Sequence, residues 1–161
     1  MENEVSSKAR QAKRNRSVGN TLEREERKFW ESIGYPSDIA SKKLDDMKID
    51  VANIPIGIQC KKGYDKGFDY YKLLKQMLHL STKNEFKGKP LFIRHQTNGN
   101  KKDMYVMFKN TFIDMVQKKI KNFELLEVIL GCPDIHITDK IVEVNTKYFR
   151  NYLTMIYELK D

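Results

Sequence analysis

The chain lacks most of what would staple or anchor a small protein from outside its own core. It has two cysteines in 161 residues, Cys60 and Cys132, too few for a disulfide scaffold. Neither belongs to a C-x-x-C pair, and the three histidines, His79, His95 and His136, lie far apart. The spacing of a structural zinc site is therefore missing, and no cysteine–histidine pair stands out as nucleophile and base. No apolar run is long enough to span a bilayer, and the N-terminal stretch is polar from the start. A soluble, intracellular protein is expected. No internal repeat is visible.

What is present is a hydrophobic fraction of 40% and a formal net charge of +8. The first supports a real core, and the length suits one domain. The second points to a polyanionic partner such as DNA, RNA or an acidic membrane surface. Residues 1–18 carry Lys8, Arg10, Lys13, Arg14 and Arg16 among few apolar residues. They read as a basic arm, and Lys13, Arg14 and Arg16 as candidate phosphate contacts.

Periodicity sets out the elements. Leu22, Phe29, Trp30 and Ile33 share a helical face, with Asn20 or Thr21 as N-cap and Gly34 as stop. The polar segment 37–47 reads as a strand edge plus loop. Ile49, Val51, Ile58 and Cys60 alternate with Asp50, Gln59 and Lys61 around an Asn53–Ile56 turn, the pattern of two paired strands. A helix over 69–79 follows. Strands 90–96 and 104–109 flank an Asn98-Gly99 turn. A helix over 111–130 ends at Gly131, Cys132 and Pro133. A strand, Ile141–Val144, and a helix over 146–159 close the chain.

The strand pair around residue 54 carries the chemistry. Antiparallel pairing sets Asp50 opposite Gln59, and alternation sends Lys61 to the same face, with the four apolar residues turned to the core. An acid, an amide and an ammonium then converge on one side. Phosphodiester cleavage needs a neutralised anion, an activated water and help for a leaving oxyanion. Magnesium held by oxygen ligands serves the first and assists the others. Asp50, Gln59 and the backbone carbonyl of Cys60 are candidate ligands, Lys61 is the candidate catalytic lysine, and Glu23 on the first helix is a fourth group for the site. Manganese is an expected substitute.

These residues carry a resemblance. "TLEREERKFWESIGY", "KIDVAN" and "IQCK" resemble the archaeal-type Holliday junction resolvases of the PD-(D/E)XK nuclease superfamily. That pattern has a glutamate early in the first helix, a Gly-aromatic after it, an acid inside an aliphatic strand, and a Glu-x-Lys strand. Glu23, Asp50, Gln59 and Lys61 fall on its four functional positions. Gln59 departs from the usual glutamate; its amide oxygen still coordinates metal, with one negative charge fewer. The resemblance covers about residues 19–115 and leaves 116–161 as a C-terminal extension. It implies an α/β, restriction-endonuclease-like mixed sheet flanked by helices, with a strand–helix extension packed on the core or forming a dimer surface. It also implies a magnesium-dependent endonuclease, a homodimer that nicks branched DNA symmetrically. The lysine- and asparagine-rich composition fits an AT-rich genome such as a phage's, and then a site of action in the host cytoplasm.

Other readings stay open at this point. Another nuclease or nickase of the superfamily, a non-catalytic DNA-binding protein of the same fold, and an RNA-binding protein all fit the charge. Ser41, Lys42, Lys43 and Lys62 are candidate phosphate contacts. Glu23 also fits a capping box with Asn20, and a shifted helix register would make Glu26 the functional acid. Asp45 and Asp46 rank behind Asp50 as ligands. Trp30 and Phe29 belong to the core, Arg94 and His95 to the core or an edge, and Tyr148, Phe149, Tyr152 and Tyr157 to packing or a dimer surface.

Overall fold

A computed structural model describes residues 21–63, 68–82, 86–97, 102–119 and 134–159. The basic arm, the Asn98-Gly99 turn, the second half of the helix expected over 111–130 and the Gly131–Pro133 stop lie outside them. The first helix, α1, covers residues 21–32. It buries Leu22, Glu26, Trp30 and Ile33 along one stripe. Gly34 stops it at φ +108°, where an added Cβ would come within 2.9 Å of the Leu159 Cβ.

The segment expected as strand edge plus loop is more ordered than its polarity suggests. It contains β1 (Asp38–Ile39) and a short helix, α2 (Lys42–Asp46). The reason is local: the Ser41 hydroxyl accepts the Leu44 N–H at 3.3 Å and caps α2, and Leu44 is buried. The antiparallel strand pair expected around residue 54 does not form as a ladder: Gly57–Lys62 pairs with Leu91–Gln96, in a separate sheet, and a single backbone bond links the two segments. Asp50 donates its N–H to the Ile58 carbonyl at 2.8 Å. The next two residues, β2 (Val51–Ala52), turn away to pair antiparallel with β1.

The remaining strands are β3 (Gly57–Lys62), β4 (Leu91–Gln96), β5 (Asp103–Phe108), β6 (Ile135–Ile137) and β7 (Ile141–Asn145). They form one mixed sheet in the order β3-β4-β5-β7-β6. Strands β3 and β4 are parallel, joined through helix α3 (Tyr70–Ser81), and the other pairs are antiparallel. Helix α4 (Lys109–Lys119) follows β5, and α5 (Thr146–Tyr157) follows β7. The expected α/β class, a mixed sheet flanked by helices with a C-terminal strand–helix, is the one observed. The C-terminal part is built into the sheet: β7 pairs with β5 along its length.

Two apolar layers sandwich the sheet. On one face Ile58, Phe92, Tyr105, Met107 and Val144 meet Trp30 of α1, Phe112 and Val116 of α4, and Phe149 and Leu153 of α5. On the other, Ile93, Met104 and Val106 meet Leu44, Ile49 and the Leu73, Leu74 and Met77 stripe of α3. Trp30, Phe149 and Tyr152 are thus core residues, and Phe29, Tyr148 and Tyr157 pack against that core. Strand β3 ends the sheet, so its outer edge has no further strand of the sheet. At Gly57 the approach is close: a Cβ there would come 2.6 Å from Leu91 and 2.9 Å from Ile49.

Candidate metal centre at the β3 edge

The outer edge of β3 presents backbone groups that need partners. Asp50 meets them. Its N–H goes to Ile58, and its Oδ2 accepts the Cys60 N–H at 2.7 Å and the Gln59 Nε2 at 3.1 Å. In an extended strand the N–H and C=O of one residue point the same way. The Cys60 carbonyl therefore lies on the same edge as its N–H. Asp50 and Gln59 are buried, at 7% and 8% exposure. Of the polar set expected on an open outer face, Asp50 and Gln59 are enclosed instead, while Lys61 stays half-exposed.

Enclosure raises the cost of charge. Burial pushes the Asp50 carboxyl up; the Cys60 N–H pulls it back, Asp45 raises it further, and Lys61 and Gln59 oppose the rise. Burial likewise pushes Glu23 up to about 7, with Asp50 and then Asp45 adding to the rise and Arg27 opposing it. Glu23, Asp45 and Asp50 therefore stand within electrostatic reach of one another, and Lys61 within reach of Asp50. Asp45, ranked low from sequence, arrives because α2 turns the chain back toward α1. A capped S-x-x-L turn is the only local signal for it.

The fit of these residues to a divalent cation rests on their donors. The Gln59 Oε1 is buried and has no hydrogen-bond partner, an acceptor without a donor. The Glu23 and Asp50 carboxylates, that amide oxygen and the Cys60 carbonyl are all oxygen donors, the type magnesium takes. Among the described residues, no three His, Cys, Asp or Glu side chains are already gathered around one point. The set at β3 counts two such side chains, the amide and the carbonyl making up the rest.

The other expected contacts separate by position. Lys42 and Lys43 are exposed on α2, and Lys62 is half-exposed at the end of β3. The Ser41 hydroxyl is committed to its cap. Lys13, Arg14 and Arg16 lie outside the described residues. Cys60 is buried, and burial drives its thiol far up, Glu26, Asp50 and Glu23 adding to the effect against Arg94; a thiolate nucleophile is disfavoured there. His95 is buried too, its Nδ1 bonded to the Tyr70 hydroxyl at 2.6 Å and its Nε2 to the Gly63 carbonyl. Because a carbonyl only accepts, Nε2 carries a proton, and in the neutral ring Nδ1 accepts from Tyr70.

Glu26, the alternative acid, points away from the β3 edge into the core at 0% exposure. It meets Tyr105, Arg94 and Arg150 there. Sequence alone does not join it to these partners, since they come from strands and a helix remote in the chain. No family model, curated protein or solved structure matches this chain.

Proposed function

We propose that the chain is a magnesium-dependent DNA endonuclease that nicks branched DNA, with a four-way junction as substrate. The observation that carries this reading is the Asp50 carboxylate held by Cys60 N–H and Gln59 Nε2 on a sheet edge, beside Glu23 and an amide oxygen without a donor. Such crowding of acids is costly without a cation. Glu23, Asp50, Gln59 and the Cys60 carbonyl would hold magnesium, with manganese as substitute. When bound, the ion supplies positive charge against the scissile phosphate and eases ionisation of a water. Asp50 is kept in place by its two donors. The Lys61 ammonium orients the attacking water and stabilises negative charge developing on the phosphate oxygens. Lys42, Lys43, Lys62 and the basic arm grip backbone phosphates, so recognition runs on shape and charge. Symmetric nicking of a junction calls for two copies related by a twofold axis. The working compartment in this reading is the cytoplasm.

Asp50→Asn tests it. Cleavage of a four-way junction in magnesium should fall by at least two orders of magnitude, while junction binding measured in EDTA persists. Gln59, one charge short of the usual glutamate, favours one second reading: a DNA-binding protein without cleavage. Wild-type protein that binds junctions yet cuts no DNA at any magnesium concentration would establish that instead.

A further inference from the structure

Glu26 stands one helical turn from Glu23 on α1, on the stripe otherwise formed by Leu22, Trp30 and Ile33. A leucine would suit that stripe. Instead, one carboxylate oxygen of Glu26 receives the Tyr105 hydroxyl at 2.6 Å and Arg150 Nη2 at 3.1 Å, and Arg94 Nη1 stands 3.2 Å away. Arg150 Nε also donates to the Tyr105 hydroxyl at 3.3 Å. Arg94, itself 1% exposed, grips Asp103 with two nitrogens at 3.2 and 2.8 Å. Asp103 also accepts the Thr146 hydroxyl at 2.6 Å and the Gln96 amide at 3.2 Å. One connected set of charges therefore ties α1 to β4, β5 and the start of α5.

This set adjoins the candidate metal centre. Cys60 pairs in register with Arg94, so their side chains share a sheet face. The Cys60 thiol lies within the fields of Glu26, Asp50, Arg94 and Glu23. Strand β3, which bears the edge donors, is thus the neighbour of the strand that carries Arg94.

We propose that the Glu26–Arg94–Arg150–Tyr105 network is a positioning device for the candidate metal centre: it fixes the rotation and depth of α1, and so the reach of Glu23 toward Asp50. The inference rests on the metal-site reading above. It also gives the C-terminal strand–helix a task, since β7 and α5 bring Thr146 and Arg150 to the network. Buried ion pairs are poor sources of net stability compared with apolar packing, but two hydrogen-bond donors on one buried oxygen, with the Arg94 guanidinium in ion-pair contact, impose a geometry that apolar contacts do not. A helix end that must hold a ligand to a few tenths of an ångström needs such support.

The test measures Mn²⁺ affinity of the full chain by electron paramagnetic resonance, without DNA, at a temperature where circular dichroism shows each variant folded. Arg150→Met and Tyr105→Phe should each weaken Mn²⁺ binding about 10- to 100-fold, with Arg150→Lys recovering part of the loss. Wild-type affinity in the folded variants would overturn the proposal. If Arg150→Met does not fold, Tyr105→Phe decides alone, because it removes one hydroxyl and leaves both ion pairs. Two failures are distinguishable: wild-type protein that takes up no Mn²⁺ ends the metal-site reading and this inference together, whereas a binding wild type with unaffected variants ends only the positioning role.

Discussion

Glu23 is the residue at which helix geometry and charge crowding meet, and its protonation sets a pH dependence. Burial first, then Asp50 and Asp45, lift its carboxyl from 4.5 to about 7. The metal-free fold therefore holds a proton that the unfolded chain has released between those two values. In that window the unfolded state binds fewer protons, so this group's contribution to stability falls as pH rises from 4.5 toward 7 and levels off above it. Cation binding has the opposite sign, because the ligand must be a carboxylate. Magnesium affinity should rise about tenfold per pH unit below 7 and flatten above it, with proton release on binding near neutrality. Calorimetric titrations in two buffers of different ionisation enthalpy read both effects. Affinity that is level from pH 5.5 to 8 would remove Glu23 from the ligand set. How far the site is legible in the sequence follows the same division. Asp50, Gln59 and Lys61 stand out because an acid in an aliphatic alternation is a local anomaly. Asp45 and Glu26 do not, because their partners come from other elements, and Glu26 meets Arg150 across a separation of 124 residues.

Among the elements, α2 shows how little sequence can build a functional wall. It has five residues and depends on the Ser41 cap and one buried leucine. Ser41→Ala removes an acceptor from the Leu44 N–H and should cost about 0.5–2 kcal/mol, whereas Ser41→Gly should cost only a few tenths. For a chain of this size that is a fall of roughly 2–4 °C in Tm per kcal/mol, read by thermal unfolding. Junction affinity should be unchanged once the protein is folded, since the hydroxyl serves the helix; weaker junction binding at an unchanged Tm would assign Ser41 to phosphate instead. Short-range signals announce the longer elements well. The α1 stripe with its Gly34 stop, the β4 and β5 strands and α5 all lie within two residues of their expected bounds. The shortest elements are the least legible: the helix α2 replaces the loop expected after the strand edge at β1. Strand β6 is three residues long and takes its identity from pairing with β7. Strand β1 is two residues long and exists through β2. Such short strands have too few residues to show a period and exist only through the strand they pair with.

At the scale of the whole molecule, two properties of the chain come together: a positive charge of +8 and a buried Asp50 within electrostatic reach of Glu23 and Asp45. A DNA strand brought to β3 meets local negative charge, so attraction must come from elsewhere on the surface. Lys42 and Lys43 stand exposed on α2, next to Asp45, and Lys62 follows Lys61 on β3. The C-terminal segment, which has no assigned task on sequence grounds, contributes an interior strand and a core helix, and so belongs to the scaffold of the sheet. The arm residues Lys13, Arg14 and Arg16 add charge N-terminal to α1, the helix bearing Glu23. If they touch phosphates, each neutralised phosphate releases counterions, and the slope of log affinity against log salt becomes shallower by about 0.9 for each phosphate a variant leaves unneutralised. Replacing the three with alanine should therefore reduce the slope for a four-way junction by about 2–3. The cleavage rate at saturating junction should not change, because no group at the β3 edge is altered. Replacing Lys42 and Lys43 should likewise reduce the slope, by up to about 2. Fluorescence anisotropy over a salt series at fixed pH measures all three proteins against one labelled junction. A slope unchanged in the arm variant, with a changed one for Lys42 and Lys43, would confine phosphate binding to the folded surface around β3.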